Sequence, residues 1–109
     1  MRFDIMTLFP DLVLGVLGES VIGRAQKSGA ISVFAHNIRD YSKDKHRKVD
    51  DTPYGGGRGM LMSAPPIYDC YSAILSELPS GANKHVIYMS PKGKVLTQDK
   101  AKELAKYDR

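Results

Sequence analysis

Cysteine is nearly absent from the sequence: Cys70 stands alone among 109 residues. No internal disulfide can form, which excludes a disulfide-stapled scaffold and fits a reducing cytoplasm. Long hydrophobic runs are missing too. No stretch approaches the roughly 20 apolar residues that a membrane-spanning helix needs. The N-terminus lacks the basic start, long apolar core and small-residue cleavage site of a signal peptide, since Asp4 and Pro10 come early. Low-complexity segments are absent as well. What remains, 42% hydrophobic and 26% charged residues, is the balance of a folded domain rather than a disordered tail. The length allows one domain and not two.

The net charge of +4 is unevenly spread. Residues 1–38 are balanced and residues 59–91 carry a slight acidic excess. The basic surplus falls on 39–58 and 92–109. Two basic segments around a near-neutral body hint at a polyanion such as nucleic acid, although on charge alone a solvated surface is the stronger reading.

Arg2 to Leu8 places Phe3, Ile5 and Leu8 as a strand that ends before Pro10. Asp11 to Lys27 has helical character. Gly15 and Gly18 interrupt it, Ser20 is placed to cap a second piece, and Gly29 stops that piece. Ile31 to Ala35 is β-branched and aromatic, a second strand. From Arg39 to Gly59 no repeat survives, and a loop of this length in a compact fold is a functional or disordered segment. Ser63-Ala64-Pro65-Pro66 then opens a helix carrying the apolar stripe Ile67, Tyr71, Ile74, Leu75 and Leu78. His85 to Met89 reads as a continuous apolar strand buried on both faces, closed by the turn Ser90-Pro91-Lys92-Gly93. Thr97 caps a last helix from Gln98, with Ala101, Leu104 and Ala105 facing inward. The order β-α-β-loop-α-β-turn-α predicts an α/β fold with a parallel sheet. Three strands are few for such a sheet, and a fourth is expected where Tyr107-Asp108-Arg109 stands.

Two stretches carry candidate chemistry. The loop core runs from His46 to Met60. Gly55, Gly56, Gly57 and Gly59 let the backbone take positive φ and form anion-binding nests. His46, Arg47, Lys48 and Arg58 suit phosphate. Asp50 and Asp51 are acceptors able to hold a base edge or orient a basic neighbour. Neither a Walker A loop nor a complete dinucleotide fingerprint is present. A flexible surface loop is the plain alternative. Tyr54 is the one aromatic placed for stacking or an interface. The second stretch is Tyr88-Met89-Ser90-Pro91-Lys92-Gly93, at the carboxyl end of a strand, where open α/β sheets bind ligands. A simple strand-to-helix turn is the alternative there. His36, His46 and His85 lie too far apart for a zinc site, and no metal is expected. Cys70 reads as a packed small hydrophobe, and Phe3 and Tyr71 as core.

These residues resemble a known family. Leu8-Phe9-Pro10, Val21-Ile22-Gly23-Arg24-Ala25, the loop His46-Arg47-x-Val49-Asp50-Asp51-x-Pro53-Tyr54-Gly55-Gly56-Gly57-x-Gly59-Met60, and Ile87-Tyr88-Met89-Ser90-Pro91-x-Gly93 are similar, in order, to bacterial tRNA (guanine-N1)-methyltransferases of the TrmD type, in the SPOUT superfamily. Arg58 stands where that family has proline, and Met89 where leucine is usual. The resemblance implies a parallel-sheet, Rossmann-like trefoil-knot methyltransferase fold. It implies a homodimer that moves a methyl group from S-adenosylmethionine to N1 of the guanosine 3′ of the tRNA anticodon. Tyr88, Met89, Ser90 and Pro91 would line the cofactor. His46, Arg47, Asp50, Tyr54, Gly55, Gly56, Gly57 and Gly59 would lie near the tRNA. It further implies that residues 1–109 are the N-terminal part of a longer protein, cut before the knot and the C-terminal tRNA-binding domain. The catalytic base and its arginine helper are expected beyond Arg109, so no catalytic residue is assigned in this chain and the chain alone is expected to be inactive. A non-enzymatic RNA-binding α/β module and a nucleotide-binding protein are the alternatives from other classes.

Overall fold

The structure, a computed structural model, describes residues 1–109. Strand β1 (Arg2–Thr7) pairs in parallel with β2 (Ser32–Asn37), from Arg2 opposite Ser32 to Thr7 opposite Asn37. Two helices connect them. Helix α1 (Pro10–Leu17) starts at Pro10, where a missing N–H costs nothing. Helix α2 (Ser20–Lys27) ends at Ser28, followed by Gly29 with φ of +78°. The break between them falls at Gly18 and Glu19, while Gly15 lies inside α1. Ser20 departs from expectation: Glu19 is the N-cap, and Ser20 is the first helical residue with φ of 55°. Gly23 is buried because α2 folds back on this corner. A Cβ there would lie 2.2 Å from the carbonyl oxygen of Gly18.

After β2 comes a 3-10 turn, Ile38–Tyr41, capped by the side chain of Asn37. Two short strands, β3 (Asp50–Asp51) and β4 (Leu61–Met62), pair antiparallel and close the glycine segment into a ribbon. Helix α3 (Ala64–Ser76) packs on the 3-10 turn and β1. Its stripe supplies the core: Cys70 and Ile74 are buried with Ile38, and Met6, Leu8, Tyr41 and Ile67 pack around them. Helix α4 (Gln98–Leu104) begins as expected, with Thr97 Oγ1 accepting from the Lys100 N–H at 3.2 Å.

His85–Met89 forms no strand, which corrects the sequence reading. Val86 to Met89 make no backbone hydrogen bond, and Tyr88 and Met89 are more than four-fifths exposed. A strand forms only against a neighbour, and no strand lies beside this segment. The parallel sheet therefore has two strands rather than three. Phe3, expected in the core, is 44% exposed for the same reason: the face and edge of β1 that it borders are uncovered.

Candidate substrate loop and cofactor rim

The long segment after β2 is not patternless. Ser42 Oγ donates to the Lys48 carbonyl at 2.5 Å, and Asp44 accepts from the His46 N–H at 2.8 Å. The Arg47 guanidinium pairs with Asp40. These bonds fold 42–48 into a closed knuckle, with Arg47 in the left-handed region at its tip (φ 55°). The expectation that the whole of 39–59 lacks order gives way here to a locally bonded structure, because Ser and Asp side chains replace the missing ladder. Val49 anchors the knuckle to the body. It is 1% exposed, and its carbonyl accepts from the Ser63 N–H at 2.7 Å.

Asp50 and Asp51 follow in β3, and consecutive strand residues point to opposite faces. Asp51 is engaged: its carboxylate accepts from the N–H and hydroxyl of Thr52, with Lys48 Nζ at 3.8 Å. The Thr52 backbone and side-chain bonds, then the Lys48 charge, hold its carboxyl below the ordinary value. Asp50 is half-buried and its carboxylate accepts no hydrogen bond from the chain, so it is free to accept one from a ligand. Gly55, Gly56, Gly57 and Gly59 take φ of +77°, +82°, +119° and +89°, and each has open space where a Cβ would stand. Tyr54 is fully exposed beside them. Of the loop cations, Arg47 and Lys48 are paired within the loop, whereas Lys45 and Arg58 make no ion pair. An open cleft of about 480 Å³ lies at the foot of the loop, between Tyr41, Lys43, Pro65, Tyr68 and Asp69.

The second stretch is a turn: the Gly93 N–H donates to the Ser90 carbonyl at 3.0 Å, and Ser90 Oγ accepts from the Lys92 N–H at 3.2 Å. Ahead of it, the backbone groups of Tyr88 and Met89 are unpaired and open. No hydrogen bond or ion pair joins this turn to the glycine loop, and neither larger cleft is lined by both.

Sequence reasoning missed a polar cluster on the sheet. Asp4 Oδ1 lies 2.8 Å from both Arg2 Nη2 and His36 Nε2, and the Arg2 guanidinium sits 3.9 Å over the Phe34 ring. The only signal in the sequence is an acid inside an apolar strand. Burial pushes the Asp4 carboxyl up, but the bonds and charges of Arg2 and His36 together outweigh it, and it ends below 3.8. His85 stacks on Tyr107, with ring centres 4.7 Å apart. Cys70 is buried in the core, where desolvation raises its thiol pKa, as a packing residue rather than a nucleophile.

A parallel α/β pair followed by a glycine-rich loop and an open-backbone turn fits the class of a SPOUT-type methyltransferase fold. The profile of the family described as tRNA (Guanine-1)-methyltransferase TrmD matches residues 1–109, and the chain belongs to that family. It is 58% identical over 108 residues to the tRNA (guanine-N(1)-)-methyltransferase of Ruminiclostridium cellulolyticum, covering 99% of this chain and 46% of that protein. It is 55% identical to the one from Lachnospira eligens, covering 99% of this chain and 45% of that protein. The crystal structure of the tRNA (m1G37) methyltransferase from Aquifex aeolicus superposes with a TM-score of 0.86 at 29% identity, covering 100% of this chain and 48% of that one. The chain thus spans less than half the length of these relatives.

Proposed function

We propose that this chain carries the substrate loop and one cofactor wall of an S-adenosylmethionine-dependent methyltransferase acting on N1 of the guanosine 3′ of the tRNA anticodon. The enzyme works as a cytoplasmic homodimer, with the loop of one copy meeting the cofactor wall of the other. The observation that carries the reading is the family match along the whole chain, on a loop whose Asp50 carboxylate and successive positive-φ glycines are open to a ligand. Within one chain no bond or larger cleft joins loop and turn, which fits a site built from two copies.

The residues at the turn suit the cofactor. Tyr88 and Met89 offer open backbone N–H and C=O groups for an adenine edge, and the Ser90–Gly93 turn fixes where they end. S-adenosylmethionine would supply an electrophilic methyl group there. Guanine N1 carries a proton at neutral pH, so transfer needs a base near N1 and a cation near O6. The glycine run lets the backbone approach a nucleotide that has left its stack, Tyr54 offers a stacking face, and Asp50 can accept from a base edge. Lys45, His46 and Arg58 take phosphate contacts, and Arg47 would do so by exchanging its pairing with Asp40.

The test is a chimera in which residues 1–109 replace the matching part of the Ruminiclostridium cellulolyticum relative. It should incorporate radiolabelled methyl into unmodified tRNA. His46→Ala or Asp50→Ala should lower kcat/KM for tRNA at least tenfold with cofactor Kd unchanged, and replacing Ser90 should do the reverse. A folded chimera that binds S-adenosylmethionine but leaves tRNA unmethylated would overturn the assignment. The 109-residue chain alone should give no turnover above a no-enzyme control.

A further inference from the structure

The cleft of about 480 Å³ at the foot of the loop falls within the range of about 300–1,000 Å³ that small-ligand sites occupy. Two tyrosines line it from different elements, Tyr41 from the 3-10 turn and Tyr68 from α3. Tyr41 packs against the core, so its ring is held, whereas Tyr68 is 69% exposed. Ala64-Pro65-Pro66, the first turn of α3, lines it as well. A helix start ordinarily offers N–H donors to an anion, but Pro65 and Pro66 have none, so this one presents ring faces instead. The lining also holds one cation and one acid. Lys43 Nζ and Asp69 Oδ2 lie 3.9 Å apart, a loose pair with the lysine side chain 91% exposed. Such a contact contributes little and opens readily. Burial, then nearby acidic groups, pushes the Tyr41 hydroxyl up, so it stays protonated and able to donate. The cleft is tied to the loop at two points. Tyr41 and Lys43 flank Ser42, whose hydroxyl closes the 42–48 knuckle, and the N–H of Ser63, just ahead of α3, donates to the Val49 carbonyl beside Asp50.

We propose that this cleft is a nucleobase subsite: an unpaired base of the RNA lies against the Tyr41 and Tyr68 rings and Pro65, turns an amino edge to Asp69, and leaves its phosphate to Lys43. The inference rests on the RNA-binding part of the reading above and adds a second base to the one that the glycine loop receives. Aromatic faces hold a base by stacking, since every base has a π-face. Asp69 is an acceptor only, so it selects an edge carrying an exocyclic amino group, as on cytosine, over uracil. Lys43 takes a phosphate at little cost, because the Asp69 contact it leaves is loose. A strand of RNA is the occupant rather than a proline-rich peptide, which aromatic-lined grooves also accept. The reason is charge. The basic surplus of 39–58, with Lys45 two residues from Lys43, matches a phosphate backbone, and a peptide of that kind makes no use of it. The bond from Ser63 to Val49 fastens the cleft to the strand that carries Asp50, so two bases of one RNA strand meet a single bonded unit.

Fluorescence-anisotropy titrations with heptacytidylate, heptauridylate and an abasic strand of equal length test it, on the 109-residue chain and on the chimera described above. Tyr68 is exposed, so Tyr68→Ala leaves the core alone. It should weaken heptacytidylate binding by about fivefold or more, and Tyr68→Phe should keep affinity within about twofold of wild type, since the ring face carries the stacking. The abasic strand should bind wild type and Tyr68→Ala equally. Heptacytidylate should bind about threefold or more tighter than heptauridylate, and Asp69→Asn should remove that difference. Lys43→Ala should lower the salt slope of log affinity by about 0.7, the value of one phosphate contact on a single strand. Unchanged heptacytidylate affinity in Tyr68→Ala, or an equal loss for the abasic strand, overturns the subsite. So does a decaproline peptide that binds wild type more tightly than either RNA and is lost in Tyr68→Ala. Equal affinity for the two RNAs overturns the Asp69 contact. A chimera that methylates tRNA yet shows no Tyr68 effect on RNA affinity loses the cleft alone. Base-dependent binding at Tyr68 in a chimera that never methylates upholds the cleft and loses the transferase.

Discussion

At the scale of single residues, Asp4 and Gly23 carry the sharpest consequences. Asp4 is held by Arg2 and His36 in a mostly desolvated position, with its side chain 8% exposed. Its folded pKa is depressed, so its contribution is complete above the unfolded value near 3.8 and is lost as pH falls through the lower folded value. Asp4→Asn should therefore cost about 1.5–3 kcal/mol at pH 7, the range for hydrogen bonds to a charged group. The difference from wild type should vanish in urea melts run toward pH 3 and below. Gly23 faces the Gly18 carbonyl so closely that Gly23→Ala must move backbone, with nothing flexible to give way. A loss of about 1–3 kcal/mol is expected, read as a lowered Tm, whereas Gly15→Ala, with open space around it, should be neutral or slightly stabilising.

Among the elements, the ribbon of β3 and β4 separates anchoring from function. Val49 is the buried pin of the ribbon, and Val49→Ala should cost about 1–3 kcal/mol and loosen the Ser63–Val49 hydrogen bond, visible as faster exchange of the Ser63 amide. Gly57→Ala meets no neighbour but must adopt φ near +119°. Its cost of about 1–3 kcal/mol is confined to the loop. Exchange should quicken between 53 and 60 while the Tm moves little. The sequence showed this segment as a glycine-rich loop with a basic flank, and that much holds. The knuckle at 42–48 was hidden, because it is built from Ser42 and Asp44 side chains bonding to backbone a few residues away, which leaves no period to read. Helices α3 and α4 were legible for the opposite reason: a stripe and a cap are local patterns.

The whole molecule is loosely filled. Only six residues are buried, and the radius of gyration is 16.1 Å, against about 13 Å for a compact chain of this length. Solution scattering should return the larger figure. The urea m-value should fall below that of a compact protein of equal length, since less surface is there to expose. Apolar side chains such as Leu12, Val16 and Val21 stand two-thirds exposed on α1 and α2, with Phe9 at the N-cap of α1 equally so, consistent with a chain whose relatives have further structure to pack against.

Residue order was enough to mark the helices in outline, though not their ends, and to give both strands of the parallel pair, the packing role of Cys70, the glycine loop and the family, since each is written in local spacing or in a run of particular residues. Three things arose only when distant segments met. The apolar run 86–89 stays unpaired because a strand needs a neighbour that no local pattern can supply. Asp4 finds His36 only because β1 and β2 align in register, 32 residues apart in the chain. Residues 108–109 bridge two edges because folding brings Arg2 and His85 to either side of them, a meeting of distant backbone that no periodicity along the chain encodes.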